Sequence, residues 1–144
     1  MAMTQNCNCL ALRQAARYVT QHYDQYLAST GLRSTQFSIL ARLRREGPMT
    51  INELAADLVM DRTTLGRNVL PLQRDGLVEI TTSKRDRRRK ELRVTESGAQ
   101  RLASATEAWA RAQQSFESAF GKAKSGELRG LLRDVVTTDL QRAG

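Results

Sequence analysis

The sequence has few of the residues that interrupt or cross-link a chain. Among 144 residues there are only two prolines, nine glycines and two cysteines, too few for a long linker, a collagen-like repeat or a disulfide framework. No stretch approaches the roughly 18 apolar residues that cross a bilayer, and Met1–Asn6 lacks the basic and apolar regions that begin a secretory signal. We therefore expect a single soluble, cytoplasmic domain over residues 1–144 with no membrane partner.

Residues typical of catalytic and metal centres are also scarce. His22 is the only histidine, and the sequence contains no H-E-x-x-H, glycine-rich phosphate loop, G-x-S-x-G or four-cysteine metal spacing. We expect no enzyme, no cofactor and no bound metal. The two thiols of Cys7 and Cys9 leave two activities open, stoichiometric oxidation and the binding of a soft metal or an arsenical.

Positive charge is what the chain has in excess. Twenty-three Lys and Arg against fifteen Asp and Glu give a net charge of +8, which indicates an anionic partner. Residues 33–93 carry six of these eight excess charges. The basic surface therefore belongs to the middle of the chain, and both ends are nearly neutral.

Both ends show the apolar spacing of amphipathic helices. The N-terminal stripe repeats every three or four residues through Cys9, Leu12, Ala16, Val19, Tyr23 and Tyr26. Thr95 is a typical N-cap for a long helix in which residues 102–119 repeat that spacing. After a predicted break at 121–126, a third helix carries Leu128, Leu131, Leu132, Val135 and Leu140. We expect segments 8–30 and 96–144 to pack together, and with a second copy if their stripes are broader than one chain can cover.

The basic middle of the chain has the local signals of a helix-turn-helix. Thr50 and Glu53 form a capping box that begins one short helix. Val59 and Met60 make a tight connection, and Asp61 is a typical N-cap for the next helix. Two short helices joined by a brief turn are a common DNA-reading unit.

The second of these helices has an apolar face and a polar one. Leu65, Val69 and Leu72 are expected to point into the core. The residues left facing outward are Arg62, Thr63, Thr64, Arg67 and Asn68. Side chains of these types reach phosphates and base edges in a major groove, and the alternative is an ordinary solvated helix face.

A charged β-hairpin follows. Residues 77–82 and 90–94 alternate like antiparallel strands, with Val78, Ile80, Leu92 and Val94 on one face. The connection between them contains Lys84, Arg85, Asp86, Arg87, Arg88 and Arg89. A hairpin tip of this charge suits a polyanion, and an Arg there suits a narrow minor groove; a plain solvated loop is the alternative. The whole pattern predicts a mainly α fold, with a winged helix-turn-helix lobe over about 33–94 and a small β-hairpin as its wing.

Several segments together resemble the signature of the MarR family of bacterial transcription regulators: Asp61–Val69, Leu70–Leu72, Gly76–Val78, Asp86–Arg88 and Leu92–Gly98. The resemblance implies a triangular homodimer whose terminal helices interlock, with one winged helix-turn-helix per subunit on half of a palindromic operator in double-stranded DNA. It also implies that the helix after Asp61 is the recognition helix and that Arg88 enters the minor groove. Asp86 would orient the wing by pairing with a nearby Arg, or else serve only to form the turn.

Members of such a family usually release DNA when a small molecule, often an anionic aromatic, binds between the dimer helices and the winged lobe. The candidates for that pocket are Tyr18, His22, Tyr23, Phe37 and Trp109. The alternative for His22 is an ordinary surface or half-buried residue without a sensing role.

The cysteines suggest a second kind of signal. Cys9–Leu12 is similar to the start of the first helix in the organic-hydroperoxide sensors of this family, and Tyr23 lies where those proteins have a Tyr. The sequence departs from them at Arg13 and Ser34, where they have further Tyr residues. Cys7 would resolve an oxidised Cys9 or pair across the dimer, whereas the alternative for Cys9 is a small core hydrophobe.

We therefore expect a sequence-specific transcription regulator, a homodimeric repressor that a small aromatic or oxidant effector releases from DNA. The alternative is a basic architectural protein that coats DNA without sequence preference or effector. The outward face of Thr63, Thr64, Arg67 and Asn68 favours the regulator, because a pure phosphate binder has no need of it.

Overall fold

The computed structural model describes residues 5–140. The main elements are α1 (Asn8–Leu27), α2 (Ser34–Glu46), α3 (Ile51–Asp57), α4 (Arg62–Arg74), β1 (Val78–Thr82), β2 (Lys90–Val94), α5 (Glu96–Phe120) and α6 (Lys122–Thr137), with a short 3-10 helix at Ala28–Thr30. The mainly α fold with a small hairpin is therefore confirmed. Within residues 5–140, no helix combines the length and the hydropathy that a membrane span requires. The end of the segment predicted at 96–144 lies outside the described residues.

Three helices begin at the caps that the sequence predicts. The Thr50 hydroxyl accepts from Glu53 N at 3.1 Å, and Glu53 Oε1 accepts from Thr50 N at 2.9 Å. The Asp61 carboxylate accepts from Thr64 N at 2.8 Å, and the Thr95 hydroxyl accepts from Gly98 N at 3.0 Å. Because each cap satisfies backbone donors that the first helical turn leaves free, the starts of α3, α4 and α5 are determined locally.

The turn between α3 and α4 is as tight as the sequence predicts. Val59 N donates to the Ala56 carbonyl at 3.2 Å, and Met60 N donates to the Ala55 carbonyl at 2.9 Å. This is the hydrogen-bond pattern of a Schellman motif, which places its C′ residue in the left-handed region. Val59 occupies that position with φ of +52°, a conformation that a β-branched residue rarely adopts.

The hairpin has the predicted pairing. Val78 lies opposite Val94 and Ile80 opposite Leu92, so the four apolar residues share one face. The backbone of Leu92 also exchanges two hydrogen bonds with Met49, at 2.7 and 3.2 Å. This second pairing attaches the hairpin to the segment that leads into α3.

One apolar core joins the helix-turn-helix, the hairpin and α5. Its fully buried members include Leu27, Ile39, Leu40, Leu54, Leu65, Leu72 and Val78. Gly98, in the first turn of α5, lies directly against the residue before β1, since a Cβ built there would lie 2.1 Å from the Leu77 carbonyl oxygen. The core therefore fixes α4, the hairpin and α5 as one unit.

The terminal helices differ from expectation in two details. The predicted break at 121–126 is only one residue long, because Gly121, with φ of +110°, separates α5 from α6 and the helix resumes at Lys122. The Ser125 hydroxyl donates to the Gly121 carbonyl at 2.7 Å, which satisfies one acceptor at the junction. Leu140 lies beyond the end of α6 rather than on it.

Candidate nucleic-acid interface

The two faces of α4 separate as the hydrophobic spacing predicts. Leu65, Val69 and Leu72 are buried in the core. Arg62, Thr63, Thr64 and Arg67 are exposed, and Asn68 is half-buried. The structure thus places all five predicted recognition-helix residues away from the core.

These five residues are not equally free to bind a ligand. The Thr64 hydroxyl donates to Asp61 Oδ2 at 2.8 Å, and Asn68 Nδ2 donates to the Thr64 carbonyl at 2.9 Å. Within residues 5–140, the side chains of Arg62, Thr63 and Arg67 make no hydrogen bond or ion pair. Among these five residues, the uncommitted donors are therefore the side chains of Arg62, Thr63 and Arg67.

The start of α4 carries one negative charge. The Asp61 carboxylate receives the backbone N–H and the hydroxyl of Thr64, and these bonds hold the pKa of Asp61 below its ordinary value. The carboxylate also interacts favourably with the positive end of the helix dipole. The Asp61 carboxylate therefore stabilises the start of α4.

The wing is a closed loop held by backbone hydrogen bonds. Ser83 N donates to the Arg89 carbonyl at 2.9 Å, and Arg89 N donates to the Asp86 carbonyl at 3.0 Å. The Asp86 carboxylate accepts from Arg88 N at 3.0 Å and forms no ion pair with another described residue. Of the two roles considered for Asp86, the structure shows turn formation rather than pairing with an Arg.

The cations of the wing fall into two groups. Lys84, Arg85, Arg87 and Arg88 are exposed and have no carboxylate within ion-pair distance in the described chain. Arg89 differs, because its guanidinium lies 2.6 Å from Glu53 Oε1 and 3.3 Å from Glu91 Oε2. The free charge of the wing is therefore concentrated at its tip, whereas the guanidinium at its base is paired.

Glu53 connects the wing to the helix-turn-helix. The backbone N–H of Thr50 and the guanidinium of Arg89 both lower the pKa of its carboxyl group. The sequence identifies Glu53 only as a cap, since its ion-pair partner is 36 residues away. No local spacing signals such a contact.

The predicted sensor residues do not meet in one pocket. Phe37 and Trp109 stack with ring centroids 6.2 Å apart, and Trp109 borders an open cavity of about 460 Å³. Tyr18 and His22 border a different cavity, of about 410 Å³, together with Phe116 and Phe120. The structure divides the predicted pocket between two sites along α5.

Tyr23 belongs to a hydrogen-bonded chain across the terminal helices. Its hydroxyl donates to Gln113 Oε1, and Glu117 Oε1 accepts from Gln113 Nε2 at 3.3 Å and from Arg129 at 3.4 Å. Burial raises the pKa of Tyr23, and the negative charge of Glu117 raises it further. These hydrogen bonds connect α1, α5 and α6 beside the cavity that Trp109 borders.

The two thiols lie at the start of α1. Cys7 is the N-cap of this helix, and its Sγ accepts from Leu10 N at 3.4 Å. Both cysteines are free and exposed. The alternative of Cys9 as a small core hydrophobe is therefore wrong for the single chain, because α1 covers its core with residues nearer its C-terminal end.

Comparisons with known proteins agree with this architecture. The sequence model of the MarR family matches residues 32–90. The HTH-type transcriptional repressor NicR of Pseudomonas putida is 31% identical over 131 residues, which cover 89% of this chain and 81% of that protein.

Solved structures of DNA complexes are also similar. The M. tuberculosis transcriptional regulator MosR in complex with DNA is 33% identical, with a TM-score of 0.74 over 92% of this chain and all of that chain. The transcriptional repressor CouR bound to a 23-mer DNA duplex is 26% identical, with a TM-score of 0.82 over 92% of this chain and 94% of that chain. The resemblance found in the sequence is confirmed, and the chain belongs to the MarR family of DNA-binding transcription regulators.

Proposed function

We propose that the chain is a homodimeric repressor that binds a palindromic operator and leaves it when a chemical signal arrives. The observation that carries this proposal is the pairing of two exposed basic surfaces on one rigid lobe. One surface is the outward face of α4, and the other is the tip of the wing. Base readout in the major groove and insertion in the minor groove require these two surfaces at a fixed spacing.

The DNA contacts divide into two kinds. Arg67 and Thr63 on α4 reach base edges, since Arg forms paired hydrogen bonds with guanine and Thr contacts several bases. Arg62 and the wing residues Lys84, Arg85 and Arg87 neutralise phosphates. Arg88 enters the minor groove, where the potential is most negative in narrow A·T-rich segments.

Exposed apolar side chains on the terminal helices support the homodimer. Leu131 and Val136 of α6 are 63% and 61% exposed, and Leu12 of α1 is 42% exposed. Exposed apolar side chains on the terminal helices can be covered by the same surface of a second copy in an isologous interface. Two copies related by a twofold axis would present two recognition helices, which is why the operator is expected to be palindromic.

Two signals have structural support. A small aromatic molecule would enter the cavity beside Trp109 or the one beside His22, both of which lie on α5 away from the wing. Alternatively, a hydroperoxide would oxidise the exposed Cys9 thiol to a sulfenic acid, and the hydroperoxide itself would be reduced to the alcohol. The Cys7 thiol would then condense with that sulfenic acid to give a disulfide and water.

The first test is a DNA titration at physiological salt. Labelled DNA from upstream of the protein's own gene is compared with random DNA of equal length, with and without mild peroxide. We expect tighter binding to the upstream DNA. If peroxide abolishes that preference and a Cys9→Ser variant retains it under peroxide, thiol oxidation is the signal; if peroxide has no effect, a small molecule is the signal. Equal affinity for both DNAs would replace the repressor by the architectural protein.

A Cys7→Ser variant separates the two roles of the thiols. If Cys7 only resolves the sulfenic acid, this variant still reacts with peroxide but forms no intramolecular disulfide, which mass spectrometry under denaturing conditions detects. If Cys7 pairs across the dimer instead, the oxidised wild-type protein runs as a covalent dimer on a non-reducing gel. A single-chain band under the same conditions excludes the crossed pair.

A further inference from the structure

We propose that Arg89 is a positioning residue, which holds the wing against the N-terminus of α3 through Glu53 and does not contact DNA. The inference rests on the proposed role of the wing in operator binding. It concerns how the wing is held at the correct distance from the recognition helix. Arg89 belongs to the same basic run as the wing-tip arginines, so composition alone gives no reason to separate it from them.

The geometry sets Arg89 apart from its neighbours. Its guanidinium lies 2.6 Å from Glu53 Oε1 and 3.3 Å from Glu91 Oε2. Arg87 and Arg88 are exposed and unpaired within residues 5–140. Two carboxylates neutralise the positive charge of Arg89. Its side chain therefore attracts a phosphate less strongly than the side chains of Arg87 and Arg88 do.

The partner is fixed on the side of the helix-turn-helix. Glu53 Oε1 also accepts the backbone N–H of Thr50 at 2.9 Å, and Glu53 N donates to the Thr50 hydroxyl at 3.1 Å. If the wing moved away, the Glu53 carboxylate could keep its contact with Arg89 only by breaking its hydrogen bond to Thr50 N in the cap of α3. An ion pair with such an anchored partner restricts the position of the base of the wing.

The ion pair extends an existing attachment. Leu92 of β2 exchanges two backbone hydrogen bonds with Met49, just before α3. Because this bridge is antiparallel, the segment from Met49 to Glu53 and the segment from Leu92 back to Arg89 leave it on the same side. The Arg89–Glu53 contact closes the space between them and carries the attachment from the strand to the loop.

A docked wing has a consequence for DNA recognition. α4 packs on α3 within one core, and the wing is attached to the first turn of α3. The core and the Met49–Leu92 pairing fix the strands of the hairpin, and the Arg89–Glu53 pair then sets how far the loop beyond them lies from the outward face of α4. If that pair is lost, the wing tip samples positions from which Arg88 misses its groove while α4 is still docked.

For Glu53, a role in holding the wing and a simple charge effect predict opposite changes in operator binding. Loss of the docked wing weakens it, whereas removal of a negative charge strengthens it. Glu53→Gln removes a negative charge near the DNA surface but keeps a side chain that can complete the capping box. Glu79→Gln is the matched control, because Glu79 is exposed on β1 of the same hairpin and forms no ion pair in the described chain. If charge alone matters, both variants bind all DNA slightly more tightly.

We expect Glu53→Gln and Arg89→Gln each to lower the ratio of operator to random-DNA affinity about fivefold, the scale of an exposed ion pair. Glu79→Gln leaves that ratio unchanged. The double variant is no worse than either single variant, because both changes break the same contact. Thermal denaturation of each variant verifies that the lobe remains folded.

Two results would overturn the proposal. One is a Glu53→Gln variant that behaves like Glu79→Gln. The other is an Arg89→Gln variant that loses affinity equally for operator and random DNA with a lower salt slope, which is the signature of a phosphate contact.

Hydrogen exchange without DNA keeps this test separate from the proposed function. The amides of Ser83 and Arg89 close the wing loop, and we expect both to exchange faster in Glu53→Gln and Arg89→Gln than in Glu79→Gln. Unchanged exchange would show that the ion pair does not hold the wing. A wild-type protein without operator preference would contradict the proposed function, whereas the exchange rates would still decide whether Arg89 docks the wing.

Discussion

Arg42 on α2 binds Asp57 at the end of α3 through two parallel hydrogen bonds. Arg42 Nε lies 2.7 Å from Asp57 Oδ2, and a terminal nitrogen lies 2.6 Å from Oδ1. The guanidinium lowers the pKa of Asp57, and the carboxylate in turn raises the pKa of Arg42. Together with the Arg89–Glu53 pair, it places an arginine on each acidic residue of α3.

Loss of the Arg42–Asp57 pair should destabilise the lobe slightly. We expect Asp57→Asn and Arg42→Gln each to lower the free energy of unfolding by about 0.5–1 kcal/mol, since the pair is half-exposed and solvent screens it. Urea denaturation of both single variants and the double variant measures the coupling between them. A coupling energy of zero would show that this bidentate contact does not contribute to stability.

Acid should weaken the cap of α4 in a way that an uncharged cap avoids. The folded state lowers the pKa of Asp61 below its ordinary value of 3.8, first through the Thr64 N–H. The stabilisation is therefore fully present above that ordinary value and is lost as pH falls through the lower folded pKa. Asp61→Asn and Asp61→Ser keep an acceptor for Thr64 N but do not titrate in this range.

Denaturant unfolding at several pH values measures this effect. We expect the stability difference between wild type and the Asp61→Asn or Asp61→Ser variant to be constant above about pH 5 and to change in favour of the variant below about pH 4. A difference that stays constant down to about pH 2.5 would mean that Asp61 has the same pKa in the folded and unfolded chains.

The features predictable from the sequence are those determined by neighbours along the chain. Thr50, Asp61 and Thr95 each cap a helix through the amide three residues further on, and residue type at that spacing is a sufficient signal. The faces of the hairpin follow from alternation alone, because side chains in a strand alternate between its two sides. The faces of α4 follow from helical spacing for the same kind of reason.

The features that the sequence does not predict depend on the path of the backbone rather than on the pattern of charges. Arg89 is one of several cations in a run, and only the pairing of Leu92 with Met49 brings it to Glu53. Asp86 has arginines on its C-terminal side, yet its carboxylate is taken by a backbone N–H. Charge pattern alone does not determine which of several adjacent arginines finds a partner, since the backbone path decides it.

Arg88 should show the signature of a phosphate or groove contact. Its side chain is exposed at the wing tip and has no ion pair in the described chain. We expect Arg88→Ala to weaken operator binding and to lower the slope of log affinity against log salt by about one unit. Unchanged affinity and slope would place Arg88 outside the interface. Asn6→Ala, at the exposed start of the chain, is a control for handling and salt effects.

Arg67 should show a different signature, because it lies on the outward face of α4 and its side chain forms no hydrogen bond or ion pair within residues 5–140. If it forms paired hydrogen bonds with a base, Arg67→Ala reduces discrimination between operator and random DNA by about 1–3 kcal/mol. Fluorescence anisotropy with both DNAs at one salt concentration measures that difference. An equal loss on both DNAs would instead make Arg67 a phosphate contact.

Val59 offers a direct test of the turn between α3 and α4. It adopts φ of +52° while its side chain is 72% exposed. The backbone is therefore strained, and little apolar surface of the side chain is buried to offset that strain. Left-handed backbone costs a residue with a Cβ about 1–2 kcal/mol, whereas glycine adopts it freely but loses more entropy on folding. We therefore expect Val59→Gly to raise the free energy of unfolding by about 0.5–1 kcal/mol.

The matched control is Ala103→Gly, an exposed position in the interior of α5. There the same new residue should lower stability by about 1 kcal/mol, because helical backbone gains nothing from glycine. Urea denaturation of the two variants should thus give changes of opposite sign. A loss of stability in both would show that Val59 is not strained, and that the turn depends on contacts of its side chain rather than on its backbone conformation.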